Sequence, residues 1–121
     1  MTTIKSYTDL SQSKKLAEIL PLESADMYYW LAWSGGVSEE KRNTPKVGKP
    51  RKDVIKTYWC PCWSLAALLS VVSEEVSLNS FKDGNWNAMV QQNGKMIYGD
   101  ANNSVDACVE MIIKLHEQNL L

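Results

Sequence analysis

Apolar side chains recur with helical spacing near both ends of this chain and with strand-like density between them. Leu10, Leu16, Ala17, Ile19 and Leu20 form a stripe opposite Lys14, Lys15 and Glu18. That pattern predicts a first helix, opened by Thr8 or Ser11 as N-cap and stopped by Pro21, which cannot continue the hydrogen-bond ladder. Glu23 to Asp26 read as a polar connection. The aromatic run from Met27 to Trp33 predicts a strand with both faces covered, ended by Ser34-Gly35-Gly36. From Val37 to Asp53 the chain holds two prolines, one glycine and many charges with almost nothing apolar. A segment with nothing to bury predicts a long mobile loop.

Val54 to Trp59 predicts a short second strand, and Cys60-Pro61-Cys62 a corner. Trp63 or Ser64 then opens a helix through Val72 that is apolar nearly all round, the mark of a central buried helix. Asn93-Gly94 between Asn85–Gln92 and Lys95–Tyr98 is a strong hairpin signal, because a type I′ turn needs positive φ at both central residues. A two-residue loop sets the register: Val90 faces Ile97 and Met89 faces Tyr98, with Trp86, Ala88, Val90 and Ile97 on the core face. Asp83-Gly84 predicts another turn, with Leu78 to Lys82 as a third strand. In the last helix, capped by Asn103 or Ser104, Val105, Cys108, Val109, Ile112, Leu115 and His116 fall on one arc. Asp106 suits its positive end.

These elements predict an α+β fold in a single domain over residues 1–121. The expected architecture has two layers: an antiparallel sheet of three to five strands carries the C-terminal amphipathic helix and the buried central helix. The composition, 45% hydrophobic and 22% charged, is that of a globular chain. No apolar run is long enough to span a bilayer, and no basic segment leads into an apolar stretch at the start, so neither membrane nor secretory signal is expected. Three cysteines, an odd number, fit reduced thiols in the cytoplasm. Charge is unevenly placed: residues 1–56 hold ten Lys/Arg against seven Asp/Glu, and residues 57–121 hold three against seven.

Four residues bear on chemistry. Cys62 opens a helix, where a thiol gains thiolate character. The string Cys60-Pro61-Cys62-Trp63-Ser64-Leu65 resembles the segment around the papain-family nucleophile, in which a Cys-Trp pair opens the central helix. That family places its histidine on a later strand of a longer chain, whereas the one histidine here, His116, sits on the apolar arc of the last helix. Cys62 and His116 are therefore weak catalytic candidates, and packing is the simpler reading of a helix-starting cysteine. Cys60, Cys62, Cys108 and His116 number four potential zinc ligands, but one residue between the first two and a separation of eight positions between the last two do not match structural zinc spacing. No metal or cofactor is expected, and His116 is assigned to the last helical turn and its carbonyls.

Lys41, Arg42, Lys46, Lys49, Arg51 and Lys52 form a local basic run without the interleaved aromatics that stack bases, so nucleic acid is a minor alternative. With Tyr28 and Trp30 the run is a candidate interaction surface.

Lys15-Leu-Ala-Glu-Ile-Leu-Pro21, Glu23-Ser-Ala-Asp26, Trp63-Ser-Leu-Ala-Ala-Leu-Leu69 and Val105-Asp-Ala-Cys-Val-Glu-Met111 with Lys114-Leu115-His116 resemble small proteins of Bacteroides-type gut bacteria and their phages or prophages. That group has no assigned activity, so the resemblance implies origin and boundaries only. The expected function is a non-enzymatic accessory or binding protein of mobile-element origin that binds a protein partner or itself. A cysteine-dependent hydrolase centred on Cys62 is the alternative, followed by weak nucleic-acid binding through residues 41–52.

Overall fold

The computed structural model describes residues 5–30, 44–49 and 59–121. Among them lie three α-helices and six strands, the strands divided between two three-stranded antiparallel sheets. The α+β class and antiparallel pairing expected from the sequence hold, with two sheets in place of one. The chain divides into two compact units, residues 7–67 and residues 1–6 with 68–121.

In the first unit, helix α1 (Leu10–Leu16) is capped by Asp9. Its carboxylate accepts from the Gln12 amide at 2.8 Å while the Gln12 side chain accepts from the Asp9 amide at 3.0 Å, a reciprocal capping box. Thr8 and Ser11 were the expected caps. Thr8 is instead fully buried, and its hydroxyl serves elsewhere. The helix ends at Leu16, short of Leu20, and a tightened turn carries the chain to Pro21 through Glu18 N–H to Lys15 O and Ile19 N–H to Leu16 O. A short 3-10 helix (Leu22–Ser24) occupies the expected polar connection.

Strands β1 (Met27–Trp30), β2 (Lys46–Val47) and β3 (Trp59–Cys62) follow, ordered β2-β1-β3. Two expectations are corrected here. Cys60-Pro61-Cys62 is not a corner but the body of β3, with Pro61 opposite Tyr28 and Cys62 opposite Met27. A proline is tolerated because β3 is an edge among the described strands, where one missing N–H breaks no central ladder. Part of the expected mobile loop is also ordered: Val47 pairs with Met27 and Lys46 with Tyr28. Backbone groups supply what apolar side chains do not, since Gly48 N–H donates to Asp26 O at 2.9 Å and Lys49 Nζ to Glu23 O at 2.7 Å. The rest of the expected strands at 31–33 and 54–58, and of the loop, lies outside the described residues.

Helix α2 (Leu65–Val71) starts where the aspartate that ends the 3-10 connection reaches across. Asp26 accepts from both the amide (2.9 Å) and the hydroxyl of Ser64, whose oxygen in turn accepts from Ala67 N–H. Ala67, Leu68 and Val72 are buried, whereas Ala66 and Ser70 face solvent.

The second unit is the hairpin sheet and its helix. β4 (Val76–Ser80), β5 (Trp86–Gln92) and β6 (Lys95–Ala101) form a meander in chain order. The expected register is present, Val90 opposite Ile97 and Met89 opposite Tyr98. Asn93 (φ 52°) and Gly94 (φ 75°) both take the positive φ that the turn demands. Ala88, Val90 and Ile97 are buried under helix α3 (Ser104–Glu117), which packs mainly on β6 and β5. Asn103 caps α3 by accepting from Asp106 N–H at 2.8 Å, and Asp106 pairs with Lys5 at 2.7 Å.

The approach of α3 to β6 is set at Gly99. A Cβ there would lie 2.4 Å from Ala107 O and 2.6 Å from Met111 N, both helix backbone. The contact selects which arc of α3 meets the sheet. Val105, Cys108, Val109, Ile112 and Leu115 are buried as expected, but so are Ala107 and Met111. The buried arc is therefore widened to include Ala107 and Met111, while His116, expected on the apolar face, is exposed in the last turn although Val105 and Val109, on either side of its direction, are buried. Gly99→Ala should destabilise the fold by about 1–3 kcal/mol, because backbone must move to admit the methyl group. Gly94→Ala, whose Cβ meets nothing within 4 Å but keeps a positive φ, should cost about 1 kcal/mol. Urea unfolding midpoints of both variants check the order.

Candidate functional site

Cys62 lies on the side of β3 that also carries Cys60, packed against Tyr29 of β1, with Tyr7, Leu10 and Met27 around them. Its thiol is 0% exposed. Four parts of the chain converge on it through Thr8. The Cys62 thiol donates to Thr8 O at 3.4 Å, and the Tyr29 hydroxyl donates to the same carbonyl at 2.7 Å. Thr8 Oγ1 accepts from Trp63 N–H at 3.2 Å, stands 2.7 Å from Ser13 Oγ of α1 and donates to Cys62 Sγ at 3.5 Å. With Ser13 as donor, one hydroxyl proton and two lone pairs of Thr8 are all used. Thr8 N–H donates to Trp63 O at 2.9 Å, next to a bridge between Tyr7 and Ser64. Trp63, also fully buried, donates its indole N–H to Ser24 Oγ at 2.9 Å.

This environment holds Cys62 as a thiol. Burial raises its pKa above the ordinary value and outweighs the lowering by hydrogen bonds from Thr8, Ser13 and Tyr29. Tyr29 is likewise raised, first by burial and then by Cys62. The groups in hydrogen-bond contact with Cys62 are hydroxyls and a carbonyl; none is a base. An activated cysteine is partly open and electropositive in its surroundings, and Cys62 is neither.

The other candidates separate as plainly. Cys60 and Cys108 are buried free thiols, each pushed up to about 11 chiefly by burial. Among the described residues no three His, Cys, Asp or Glu side chains gather to hold a metal ion, so Cys60, Cys62, Cys108 and His116 do not form the tetrad their number allows. His116 is exposed near the end of α3.

The candidate surface is partly built. Tyr28 and Trp30 share one face of β1, with Lys46 directly opposite Tyr28 on β2. Trp30 is 42% exposed, Val47 is 85% exposed, and Lys46 faces solvent. Lys49 is engaged with Glu23 O. Lys41, Arg42, Arg51 and Lys52 lie outside the described residues. Sequence reasoning overlooked Thr8, Ser13 and Tyr29. Only the Asp9–Gln12 spacing, which frees Thr8 from capping, carried a signal for that cluster. No family model, curated protein or solved structure matches the chain. Among the described residues no helix is long and apolar enough to cross a membrane.

Two outcomes follow from the buried thiols. Thr8→Val, which keeps the shape but leaves Trp63 N–H and Ser13 Oγ unpaired, should cost about 1–3 kcal/mol in urea unfolding. Unfolded thiols ionise near 9 and the folded Cys60 and Cys108 near 11. Below that window both states keep the proton. Across it the unfolded state releases protons first, so stability should fall as pH rises from about 9 to 11. Unfolding midpoints across the window test this, with a shallower fall expected for Cys108→Ala.

Proposed function

We propose that this chain is a small non-enzymatic binding protein of the reducing cytoplasm that associates with a second copy of itself through the β1–β2 face. The observation that carries the reading is the contrast between its thiols and its aromatics. The three thiols are buried, whereas Trp30 is exposed on a strand beside Tyr28 and Lys46. Tryptophan and tyrosine anchor protein interfaces, where a large rigid ring is buried at little entropic cost. Three free, buried thiols suit a reducing compartment. The resemblance of its segments to small phage and prophage proteins supports an accessory role of mobile-element origin.

Charge favours a second copy as the partner. Residues 1–56 hold ten basic against seven acidic side chains, and residues 57–121 hold three against seven. The N-terminal half of one copy and the C-terminal half of another thus carry opposite net charge, an attraction that salt screens. Sedimentation velocity over a range of concentrations should show reversible association that weakens as salt rises. Trp30→Ala should weaken it by more than about tenfold. A chain that stays monomeric, or association indifferent to Trp30, overturns the reading.

A further inference from the structure

Helix α1, the 3-10 helix and β3 border a half-open cavity of about 280 Å³ within the first unit. Its inner walls are apolar and buried: Leu20, Trp59 and the Cys60 thiol, with half-buried Leu22 beside them. Its outer wall is Lys14 of α1 and Ala17, the residue that caps that helix, both exposed. The volume lies just under the range of small-molecule sites, which combine apolar walls with a few polar groups that orient the ligand.

Charge narrows the class of occupant. Lys14 is the cation of the described lining, and no carboxylate pairs with it among the described residues. Its charge is near enough to Cys60 to oppose the effect of burial on that thiol. A single ammonium beside an apolar hollow matches one carboxylate attached to a hydrocarbon body. Phosphate is served instead by Arg forks or clusters of backbone N–H groups, and neither stands among the described lining residues.

We propose that this cavity binds a small organic carboxylate, its apolar body against Trp59 and Leu20 and its charged end at Lys14. Trp59 of this cavity is the cross-strand neighbour of Trp30, so the site is tested under conditions where the protein is monomeric.

The test is amide and indole NMR of the full chain, titrated with 4-phenylbutyrate and with its uncharged analogue 4-phenylbutyramide. The acid should give saturable shifts at Lys14, Ala17, Cys60 and the Trp59 indole, and the amide should bind about threefold to fivefold more weakly. Lys14→Gln should remove that preference without disturbing the remaining spectrum. Ala17→Phe, a change at an exposed helix-end position, should block both probes by filling the mouth. Absence of saturable shifts at these residues overturns the proposal, as does binding unaffected by Ala17→Phe. Equal affinity for acid and amide in the parent chain overturns the assignment of a carboxylate ligand.

Discussion

The first unit is organised around one buried threonine. Thr8 lies 54 residues from Cys62, yet its carbonyl, amide and hydroxyl tie the N-terminal segment to β3, α1 and β1 together. Polar groups in an apolar interior are costly unless every donor and acceptor is matched, and a matched network admits one arrangement of the elements that supply it. Moving α1 would leave the hydroxyl short of Ser13, and moving β1 would leave the carbonyl short of Tyr29. Among the described residues no buried side-chain nitrogen or oxygen lacks a partner. The same closure sequesters Cys62. The sulfur is one more member of the network and is fully buried.

The second unit depends on a constraint of the opposite kind, the absence of a side chain. At Gly99 the backbone of α3 comes closer to β6 than any Cβ permits. That contact brings Ala107 and Met111 against the sheet and widens the buried arc of the helix to include them. Lys114 completes the edge, donating to Tyr98 O at 3.0 Å and lying 5.3 Å from the centre of the Tyr98 ring. The end of the chain is tied back through the Gln92 side chain, which donates to Leu120 O. His116 is left in solvent by the geometry of its helix and not by its own chemistry.

Both constraints bear on function in one direction. They bury the three thiols and leave the one histidine exposed. What remains available for recognition is built from side chains of ordinary chemistry. These are an exposed tryptophan on a half-covered strand and a small apolar hollow with one ammonium at its mouth. Neither needs an activated group, and each matches recognition by area, shape and a single charge.

Much of the fold was legible from short stretches of sequence. Asn93-Gly94 determined the hairpin and its register because positive φ at two successive residues is a local requirement. The Asn103 cap and the spacing from Val105 to Leu115 determined α3 for the same kind of reason. Where the sequence misled, the deciding partner was far along the chain. Thr8 reads as a helix cap until Trp63 and Cys62 claim its hydroxyl, and Cys60-Pro61-Cys62 reads as a corner until β1 pairs with it. Lys46 and Val47 read as loop until Met27 and Tyr28 provide an edge. Helical spacing placed His116 on the apolar arc, and only the fold showed that the last turn, where it lies, is left exposed. Periodicity, turns and caps are energies within a few residues, so the sequence by itself determined the elements. Which polar groups are buried together, and which face of a helix meets a sheet, are energies between segments brought together only by folding, so tertiary structure alone decided the fate of the candidate site.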